Sequence, residues 1–341
     1  MHLAWLELRD FRNHAHTRLD RIPEGLIVVV GRNGEGKTNL LEGMFLLYAL
    51  RSPRASTNAP LVREGADVGY VRGEFDGLEG RSLVEVEIPR KGASRVKLNT
   101  SPLRRKRELR RQIRAVLFGP FDLPIVIGDP SKRRDLMDEA VVALWPLRDG
   151  LATAYERALR QRNRLLKEWE GGRGGPSELE AWDEELIRTG VPVIEARGEA
   201  VARLAGGASA EFEALAGYGL VVEYAPNVSF GADGVEDGFR AQLASRRADE
   251  LVRRTSLVGP HRDDLTLAVR DLGARAFGSH GETWAAALCL RLGIAAAVAD
   301  EAGEQPLLLV DDPFSALDPT RRDRIAERLA GRGGQVVISV A

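Results

Sequence analysis

A phosphate-binding loop near the amino terminus constrains this chain more than any other feature. Residues 31–38 spell the complete GxxxxGK[ST] pattern as Gly-Arg-Asn-Gly-Glu-Gly-Lys-Thr. The loop follows the apolar run 26–30 and precedes the helix-like segment 39–46. This is the order of strand, loop and helix that the pattern requires. We therefore predict that the chain binds a nucleoside triphosphate.

Each position of the loop has a predicted task. Gly31, Gly34 and Gly36 permit positive φ angles and expose backbone N–H groups to the phosphates, where the helix start adds partial positive charge. Lys37 is predicted to reach the β- and γ-phosphates, and the Thr38 hydroxyl to complete the shell of a Mg²⁺ ion. The predicted nucleotide-binding residues of the loop are Gly31, Arg32, Asn33, Gly34, Glu35, Gly36, Lys37, Thr38 and Asn39.

A second motif lies on the order of 270 residues later, where the apolar run 306–310 ends in Asp311 and Asp312. Two adjacent carboxylates at a strand end are often only a helix cap or a solvated turn. Together with a phosphate loop they favour catalysis. Asp311 is predicted to hold Mg²⁺ and Asp312 to accept a proton from the attacking water, so that Lys37, Asp311 and Asp312 form the predicted catalytic set.

Between the two motifs lies Ser-His-Gly-Glu at 279–282, followed by a helical pattern at 283–292. Ser279 and Glu282 have the spacing of a capping box, and this cap is the simpler interpretation. The alternative is that the free N–H groups around Ser279 and Gly281 receive the γ-phosphate of a nucleotide held by another subunit. Further on, Ser-Ala-Leu-Asp at 315–318 precedes a helix predicted to end before Gly331, and 335–340 is predicted to be the last strand.

The order of phosphate loop, SxGE, acidic strand end and SALD resembles the head of an ABC-type ATPase of the SMC class. Within that class the chain resembles the RecF family of bacterial recombination mediators from end to end, most clearly at 6–13, 31–42 and 259–265. The resemblance implies an α/β fold with an ABC-ATPase-like head, made of the phosphate loop and a mixed sheet with helices, plus a helical arm lobe. The predicted head comprises 1–134 and 255–341, and the predicted arm lobe comprises 135–254.

The resemblance also implies a function. We expect an ATP-dependent homodimer that clamps double-stranded DNA at gaps or junctions, helps to load the recombinase, and is released by weak, DNA-stimulated ATP hydrolysis. The implied cofactors are ATP and Mg²⁺, and the implied partners are DNA, RecR and RecO. Arg12, in the first of the matching segments, joins the predicted nucleotide-binding residues together with Ser279 and Gly281.

The chain departs from the pattern of its class at two places, because Glu282 stands where a glutamine is usual and no glutamine lies within 118–123 to sense the γ-phosphate. The switch residue that such heads place after the last strand is not identified in this sequence. A DNA scaffold that keeps the fold without hydrolysing ATP, or another SMC-class ATPase, therefore remains an alternative. A kinase or GTPase is disfavoured, because neither needs the SxGE helix and no [NT]KxD guanine-recognition motif occurs.

The formal net charge of −1 conceals a basic cluster at 103–114, which holds seven basic residues against one acidic residue. Such a segment is commonly a solvated helix face, but it can also contact DNA phosphates. The predicted DNA-binding residues are Arg104, Arg105, Lys106, Arg107, Arg110 and Arg111. A second basic set lies on the next helical segment and is predicted to be able to follow a phosphate backbone; it comprises Arg157, Arg160, Arg162, Arg164 and Lys167.

The composition fits a cytoplasmic protein without a membrane partner. The most apolar stretch, 284–299, is interrupted by Arg291, which excludes a membrane-spanning transporter half, and charges at 9–12 argue against a signal peptide. Cys289 lies among Ala and Leu and is expected to be a core thiol. Helical patterns at about 135–215 are interrupted at 171–176, which predicts an arm of two antiparallel helices, each leg ~30 residues long, joined at an exposed tip.

Overall fold

The computed structural model describes residues 1–169, 176–270 and 272–340, so the predicted arm tip lies outside the described residues except for the backbone of Pro176. The strands are β1 (His2–Phe11), β2 (His14–Leu19), β3 (Leu26–Val30), β4 (Val68–Gly77), β5 (Gly80–Pro89), β6 (Arg95–Leu98), β7 (Ser101–Pro102), β8 (Ala115–Phe118), β9 (Leu220–Ala225), β10 (Asp264–Val269), β11 (Leu272–Gly273), β12 (Leu307–Asp311) and β13 (Val336–Val340). The helices are α1 (Lys37–Ala49), α2 (Lys106–Gln112), α3 (Leu123–Ile127), α4 (Pro130–Leu144), α5 (Leu151–Glu168), α6 (Pro176–Ala216), α7 (Gly234–Arg253), α8 (Ala274–Phe277), α9 (His280–Ala302) and α10 (Pro319–Ala330).

The strands form three sheets within the described residues. An antiparallel sheet has the order β2-β1-β4-β5-β6-β7, and its strand β5 alternates buried and half-buried residues over 82–89, as the pattern at 83–88 predicts. A parallel sheet has the order β3-β13-β12-β8, and β9, β10 and β11 form a third. The α/β fold class is therefore confirmed.

The strands β8 and β12 are buried on both faces, which explains why they are apolar except at Asp311, whereas the edge strand β3 exposes Leu26, Val28 and Val30. In β12, Leu307 and Leu309 pack into the core around α1 and the antiparallel sheet. Leu308 and Val310 pack on the opposite side, into the core that α9 shares with α4 and α6. The carboxyl ends of β3 and β12 meet at one edge of this sheet, and the phosphate loop and the two aspartates follow those ends.

The helical region is less symmetric than the sequence predicts. The expectation of two arm legs of ~30 residues is wrong, because α5 spans 18 residues and α6 spans 41. The carboxyl-terminal half of α6 extends beyond the arm and packs along α9. Gly293 of α9 permits this close contact, because a Cβ at Gly293 would lie 2.7 Å from the Leu204 carbonyl oxygen of α6. The division at 135 and 254 remains a prediction, because α6 shares one core with the head.

Helix α9 is long and apolar enough to cross a membrane by length and composition alone. It instead forms the centre of the largest apolar core, where Cys289 is fully buried as predicted and burial raises the pKa of its thiol well above the usual value. Helix α9 is therefore a buried core helix of a folded domain.

Candidate nucleotide-binding site

The phosphate loop adopts a conformation that depends on glycine. Gly34 and Gly36 have φ angles of 88° and 106°, and Gly36 is the amino-terminal cap of α1. A Cβ at Gly36 would lie 2.6 Å from the side chain of Asn13, which itself donates to the Glu35 carbonyl oxygen at 3.1 Å. The turn between β1 and β2 thus supports the loop from outside, and the loop leaves the start of α1 open to an anion.

Lys37 is folded over its own loop. Its Nζ donates to the carbonyl oxygens of Gly31 at 2.5 Å and Arg32 at 3.0 Å. Glu35 stabilises the same turn by accepting from the Arg32 backbone N–H at 2.8 Å. The ammonium group therefore lies above the loop, where its charge can pair with a phosphate.

Thr38 and Asp311 meet although they are far apart in the sequence. The Thr38 hydroxyl donates to Asp311 Oδ1 at 2.9 Å, and the Ser339 hydroxyl donates to the same oxygen at 2.6 Å. Asp311 and Ser339 are almost fully buried at the ends of adjacent parallel strands. Ser339 was not predicted from sequence, and only its place in the last strand could have indicated it.

Asp312 has a backbone conformation that is uncommon for residues other than glycine. Its φ angle is 49°, in the left-handed region, and its N–H donates to Ser339 Oγ at 3.1 Å. Burial, with a smaller contribution from the Asp311 carboxylate, raises the pKa of Asp312, while nearby Lys37 acts in the opposite direction. A carboxylate with a raised pKa is better suited to accept a proton than an ordinary aspartate.

These residues surround one cavity of about 220 Å³. Its lining comprises Asn33, Gly34, Gly36, Lys37, Thr38, Asn39, Arg54, Asp311, Asp312 and Ser339. Sequence reasoning missed Arg54, which donates to Asn39 Oδ1 at 3.0 Å and pairs with Glu42 at 3.3 Å. The available signal in the sequence was Glu42, because a glutamate in the otherwise apolar helix α1 is buried and then requires a basic partner.

Arg12 does not point freely toward this cavity. Its guanidinium donates to both carboxylate oxygens of Glu42, at 2.9 and 2.7 Å, and to the Pro60 carbonyl oxygen at 2.9 Å. Glu42 also accepts from Ser52 Oγ at 2.5 Å. Arg12 is therefore held by Glu42 and Pro60 and does not line the cavity, and its direct contact with nucleotide remains a prediction.

Ser279 and Gly281 lie at the start of α9, on a different surface from the residues that line the cavity. The capping box is confirmed, since the Glu282 N–H donates to Ser279 Oγ at 3.3 Å and Glu282 Oε2 accepts from the Ser279 N–H at 2.8 Å. A Cβ at Gly281 would lie 3.2 Å from both the Ala316 carbonyl oxygen and the Arg321 guanidinium. The SxGE helix start and the SALD loop thus adjoin one another.

The segment expected to contain a glutamine forms a buried ion pair instead. Asp122 accepts from Arg291 at 2.7 Å and from the Gly119 N–H at 3.1 Å. Burial raises the pKa of Asp122, against the lowering effect of Arg291. Arg291, which interrupts the apolar stretch of α9, is therefore a core ion-pair partner.

The basic cluster at 103–114 forms α2 only between Lys106 and Gln112. Arg104, Arg105, Lys106 and Arg111 are exposed, whereas Arg107 and Arg110 are half-buried. Partial desolvation of its ammonium group, followed by the nearby Arg110 charge, lowers the pKa of Lys106. The six predicted DNA-binding residues remain a prediction, with the exposed members the most accessible to phosphate.

The second basic set contains one clear error. Arg162 is completely buried and cannot contact DNA. Its guanidinium pairs with Asp183 at 2.7 Å and Glu250 at 2.6 Å and donates to Ser256 Oγ at 2.7 Å, which joins α5 to α6, α7 and the segment after α7. Arg164 is exposed and pairs with Glu168, four residues on. Sequence could not distinguish the two arginines because they differ only in which side of α5 they occupy.

The loop, the acidic strand end and the capped α9 start, on a parallel sheet covered by helices, define the nucleotide-binding head of an ABC-type ATPase of the SMC class. Residues 2–341 match the family model described as the RecF/RecN/SMC N terminal domain. A curated relative, the DNA replication and repair protein RecF of Streptomyces avermitilis, is 40% identical over 352 residues, covering 100% of this chain and 94% of the relative. The chain belongs to the RecF family.

Solved structures agree with this assignment. One, described as the recombination mediator protein RecF-ATP in the RecFOR pathway, is 28% identical with a TM-score of 0.89, covering 99% of this chain and 91% of the other. The Smc head domain of Pyrococcus furiosus, solved with an extended coiled coil and bound to the carboxyl-terminal domain of ScpA, is 17% identical with a TM-score of 0.55, covering 99% and 89%. The latter likeness concerns the fold alone.

Proposed function

We propose that this chain is an ATP-dependent DNA-binding protein of recombinational repair, whose ATP-bound dimer clamps DNA and whose hydrolysis releases it. The observation that carries the proposal is the Thr38–Asp311 hydrogen bond beside Lys37, which assembles both halves of a nucleotide site around one cavity. The family relatives named for DNA replication and repair, and the solved RecF-ATP structure, support the same conclusion.

The residues present fit ATP with Mg²⁺. Backbone N–H groups of the phosphate loop and Lys37 would hold the phosphates, while Thr38 and Asp311 would hold Mg²⁺. The described residues contain no cluster of three or more His, Cys, Asp or Glu that could hold a metal ion by themselves. A hydroxyl and one carboxylate suit Mg²⁺, because that ion keeps several waters and is completed by substrate phosphates. Mg²⁺ would neutralise charge that develops on the phosphates.

Asp312 is the proposed base for hydrolysis. It would accept a proton from water as the water oxygen bonds to the γ-phosphorus and the bond to the ADP oxygen breaks. Aspartate is one methylene shorter than the glutamate usual at this position in ABC-type heads, so we expect slow turnover. The same feature favours the alternative of a DNA scaffold that binds ATP without hydrolysing it. DNA-stimulated hydrolysis would support the first function over the second.

The location of the α9 start supports the proposed dimer. Ser279 and Gly281 do not line the chain's own cavity, but their helix start can receive the γ-phosphate of a second subunit. Two subunits arranged head to tail would then enclose two nucleotides. The exposed basic residues at 104–111 would contact double-stranded DNA at gaps or junctions. RecR and RecO are the proposed protein partners and the cytoplasm the proposed location, and the solved structure described as part of the RecFOR pathway supports the partners.

The decisive experiment is the mass of the protein in solution with ATP, Mg²⁺ and a gapped duplex, compared with each alone. The proposal expects a monomer without nucleotide and a DNA-bound dimer with ATP. A monomer under all conditions would overturn it. Parallel measurement of ATP turnover with and without DNA separates the ATPase from the non-hydrolysing scaffold.

A further inference from the structure

Tyr218 contacts three parts of the molecule, namely the SxGE helix start, the start of α10 beside the SALD loop, and the end of α6. It lies just after the end of α6, the long helix that runs from the arm into the head. Its hydroxyl donates to Glu282 Oε1 at 2.5 Å and accepts from the Arg321 guanidinium at 3.3 Å. A tyrosine hydroxyl has one proton and can accept at its oxygen, so both contacts can exist together.

The Glu282 side of this contact reaches the SxGE helix start. One carboxylate oxygen of Glu282 accepts from Tyr218 and from Arg270 at 2.9 Å, and the other accepts from the Ser279 N–H. Arg270 also stacks on the Tyr218 ring, with its guanidinium carbon 3.9 Å from the ring centroid. These hydrogen bonds, that of Tyr218 first, lower the pKa of Glu282 to about 2. The carboxylate is thus ionised and fixed in one orientation.

The Arg321 side reaches the SALD loop. Arg321 lies in the first turn of α10, where its N–H donates to the capping Asp318 at 3.1 Å. Its guanidinium lies within contact distance of Gly281, as the Cβ position shows. The SxGE helix start, which is expected to meet a nucleotide of a second subunit, is therefore joined to the α10 start beside the SALD loop through one hydroxyl.

The third connection is to the carboxyl-terminal end of α6, the helix that runs from the arm into the head. The Tyr218 ring packs edge-on against the buried Phe212 of α6, with centroids 5.8 Å apart. Nearby, Arg324 of α10 donates to the Leu215 carbonyl oxygen at 3.0 Å, and Arg328 pairs with Glu211 at 2.9 Å. A change in the direction of α6 would therefore move Tyr218 and its partners with it.

We infer that Tyr218 is a positioning residue that holds the SxGE helix start and the SALD loop in the arrangement needed for ATP-dependent dimerisation, and that it couples this arrangement to the arm. The inference rests on the proposed function, because it concerns the same interface. Tyr218 acts through Glu282 and Arg321 and is not expected to touch the nucleotide of its own subunit.

The test is Tyr218→Phe, which removes only the hydroxyl and retains the ring between Phe212 and Arg270. Dimerisation is measured by analytical ultracentrifugation with Mg²⁺ and a slowly hydrolysed ATP analogue. We expect the dimer dissociation constant to rise about tenfold, since a hydrogen bond to a charged group is lost. The affinity of the monomer for the analogue should stay within about twofold of the wild-type value.

Tyr155→Phe is the matched control, because the Tyr155 hydroxyl of α5 makes a similar bond of 2.6 Å to His261 Nδ1, away from the α9 start. It should lower the melting temperature while leaving dimerisation unchanged. An equal shift in both variants would show general destabilisation and overturn the inference. Wild-type dimerisation in Tyr218→Phe would overturn the inference alone, whereas absence of a wild-type dimer would overturn the proposed function as well.

A double-mutant cycle with Glu282→Gln distinguishes positioning from simple packing. If Tyr218 acts through the Glu282 carboxylate, Tyr218→Phe should have a clearly smaller effect on dimerisation in the Glu282→Gln background. Strict additivity of the two substitutions would contradict the proposed route.

Discussion

Thr38 Oγ1 donates a hydrogen bond to Asp311 Oδ1 at 2.9 Å across 273 positions of sequence. Thr38 is the last residue of the phosphate loop and the second residue of α1, and Asp311 ends the buried strand β12. The two sides of the site therefore depend on the pairing of β12 with β13 and of β13 with β3. A fragment that lacks either end of the chain could not assemble the site.

Lys37→Met should weaken ATP binding without unfolding the protein. Lys37 donates only to carbonyl oxygens of its own loop, so no apolar core depends on it. Loss of its charge-assisted contact to phosphate should cost on the order of 1.5–3 kcal/mol of binding free energy. Isothermal titration calorimetry measures this directly, and the exposed Lys132→Met is the control. Unchanged affinity in Lys37→Met would refute the assigned role.

Asp311→Asn should reduce the affinity for Mg²⁺-ATP and thereby prevent the dimer. Thr38 and Ser339 both donate to Asp311 Oδ1, so the amide oxygen of asparagine can still accept both hydrogen bonds, and the main loss is the negative charge that would bind Mg²⁺. The measurement is nucleotide affinity as a function of Mg²⁺ concentration. If the Mg²⁺ dependence matched that of the wild type, Asp311 would not be a metal ligand.

Asp312→Asn should have the opposite phenotype from Asp311→Asn. Binding should persist, while hydrolysis slows by the 10²–10⁴-fold that general base catalysis typically contributes. The variant should accumulate an ATP-bound dimer that dissociates from DNA more slowly than the wild type. Single-turnover hydrolysis and DNA dissociation rates are the two readouts. A normal hydrolysis rate would assign the base to another group.

The local features of the site were predictable from sequence, but its tertiary contacts were not. The Ser279–Glu282 capping box and the Asp318 cap of α10 are confirmed because each depends on residues three positions apart. Arg54 and the Arg12–Glu42 pair depend on how β1, α1 and the following loop pack together. Arg162 was predicted to be accessible to DNA but is buried, because the sequence alone does not show which side of a helix a charged residue occupies.

Ser279→Arg should block ATP-dependent dimerisation while leaving ATP binding by the monomer intact. Ser279 is exposed at the start of α9 and does not line the cavity, so a larger side chain there can obstruct only a second subunit. Loss of the cap should cost about 1 kcal/mol of stability, which is small for a domain of this size. Ser279→Thr, which can still cap the helix, should dimerise normally. Full dimerisation of Ser279→Arg would exclude the head-to-tail arrangement.

Replacing Arg104, Arg105 and Arg107 together by glutamate should weaken DNA binding about equally for all sequences, because phosphate contacts carry no base information. The slope of log affinity against log salt should also become shallower, since fewer counterions are released. Fluorescence anisotropy at several salt concentrations gives both quantities. The comparison variant carries glutamate at Arg157, Arg160 and Arg164 of the arm. If only the arm variant lost affinity, DNA would lie along the arm.

His261 should make the stability of the protein depend on pH below neutrality. Its Nε2 donates to the Ser256 carbonyl oxygen at 3.1 Å, which leaves Nδ1 to accept from the Tyr155 hydroxyl at 2.6 Å. Burial lowers the pKa of His261 to about 4 from an ordinary value of 6.5. The unfolded chain therefore binds more protons between these values, so the stabilisation is complete above pH 6.5 and is lost as the pH falls toward 4.

The loss over that interval should approach on the order of 3 kcal/mol, and chemical denaturation at pH 7, 6 and 5 measures it. The early part of the decline, from pH 7 to pH 5.5, is the informative part, because most carboxylates titrate at lower pH. His261→Asn should be less stable at pH 7 but should show a flatter decline, since it lacks the titrating imidazole. His16→Gln, at an exposed position, should retain the wild-type decline. A wild-type decline in His261→Asn would show that another buried group takes up the proton.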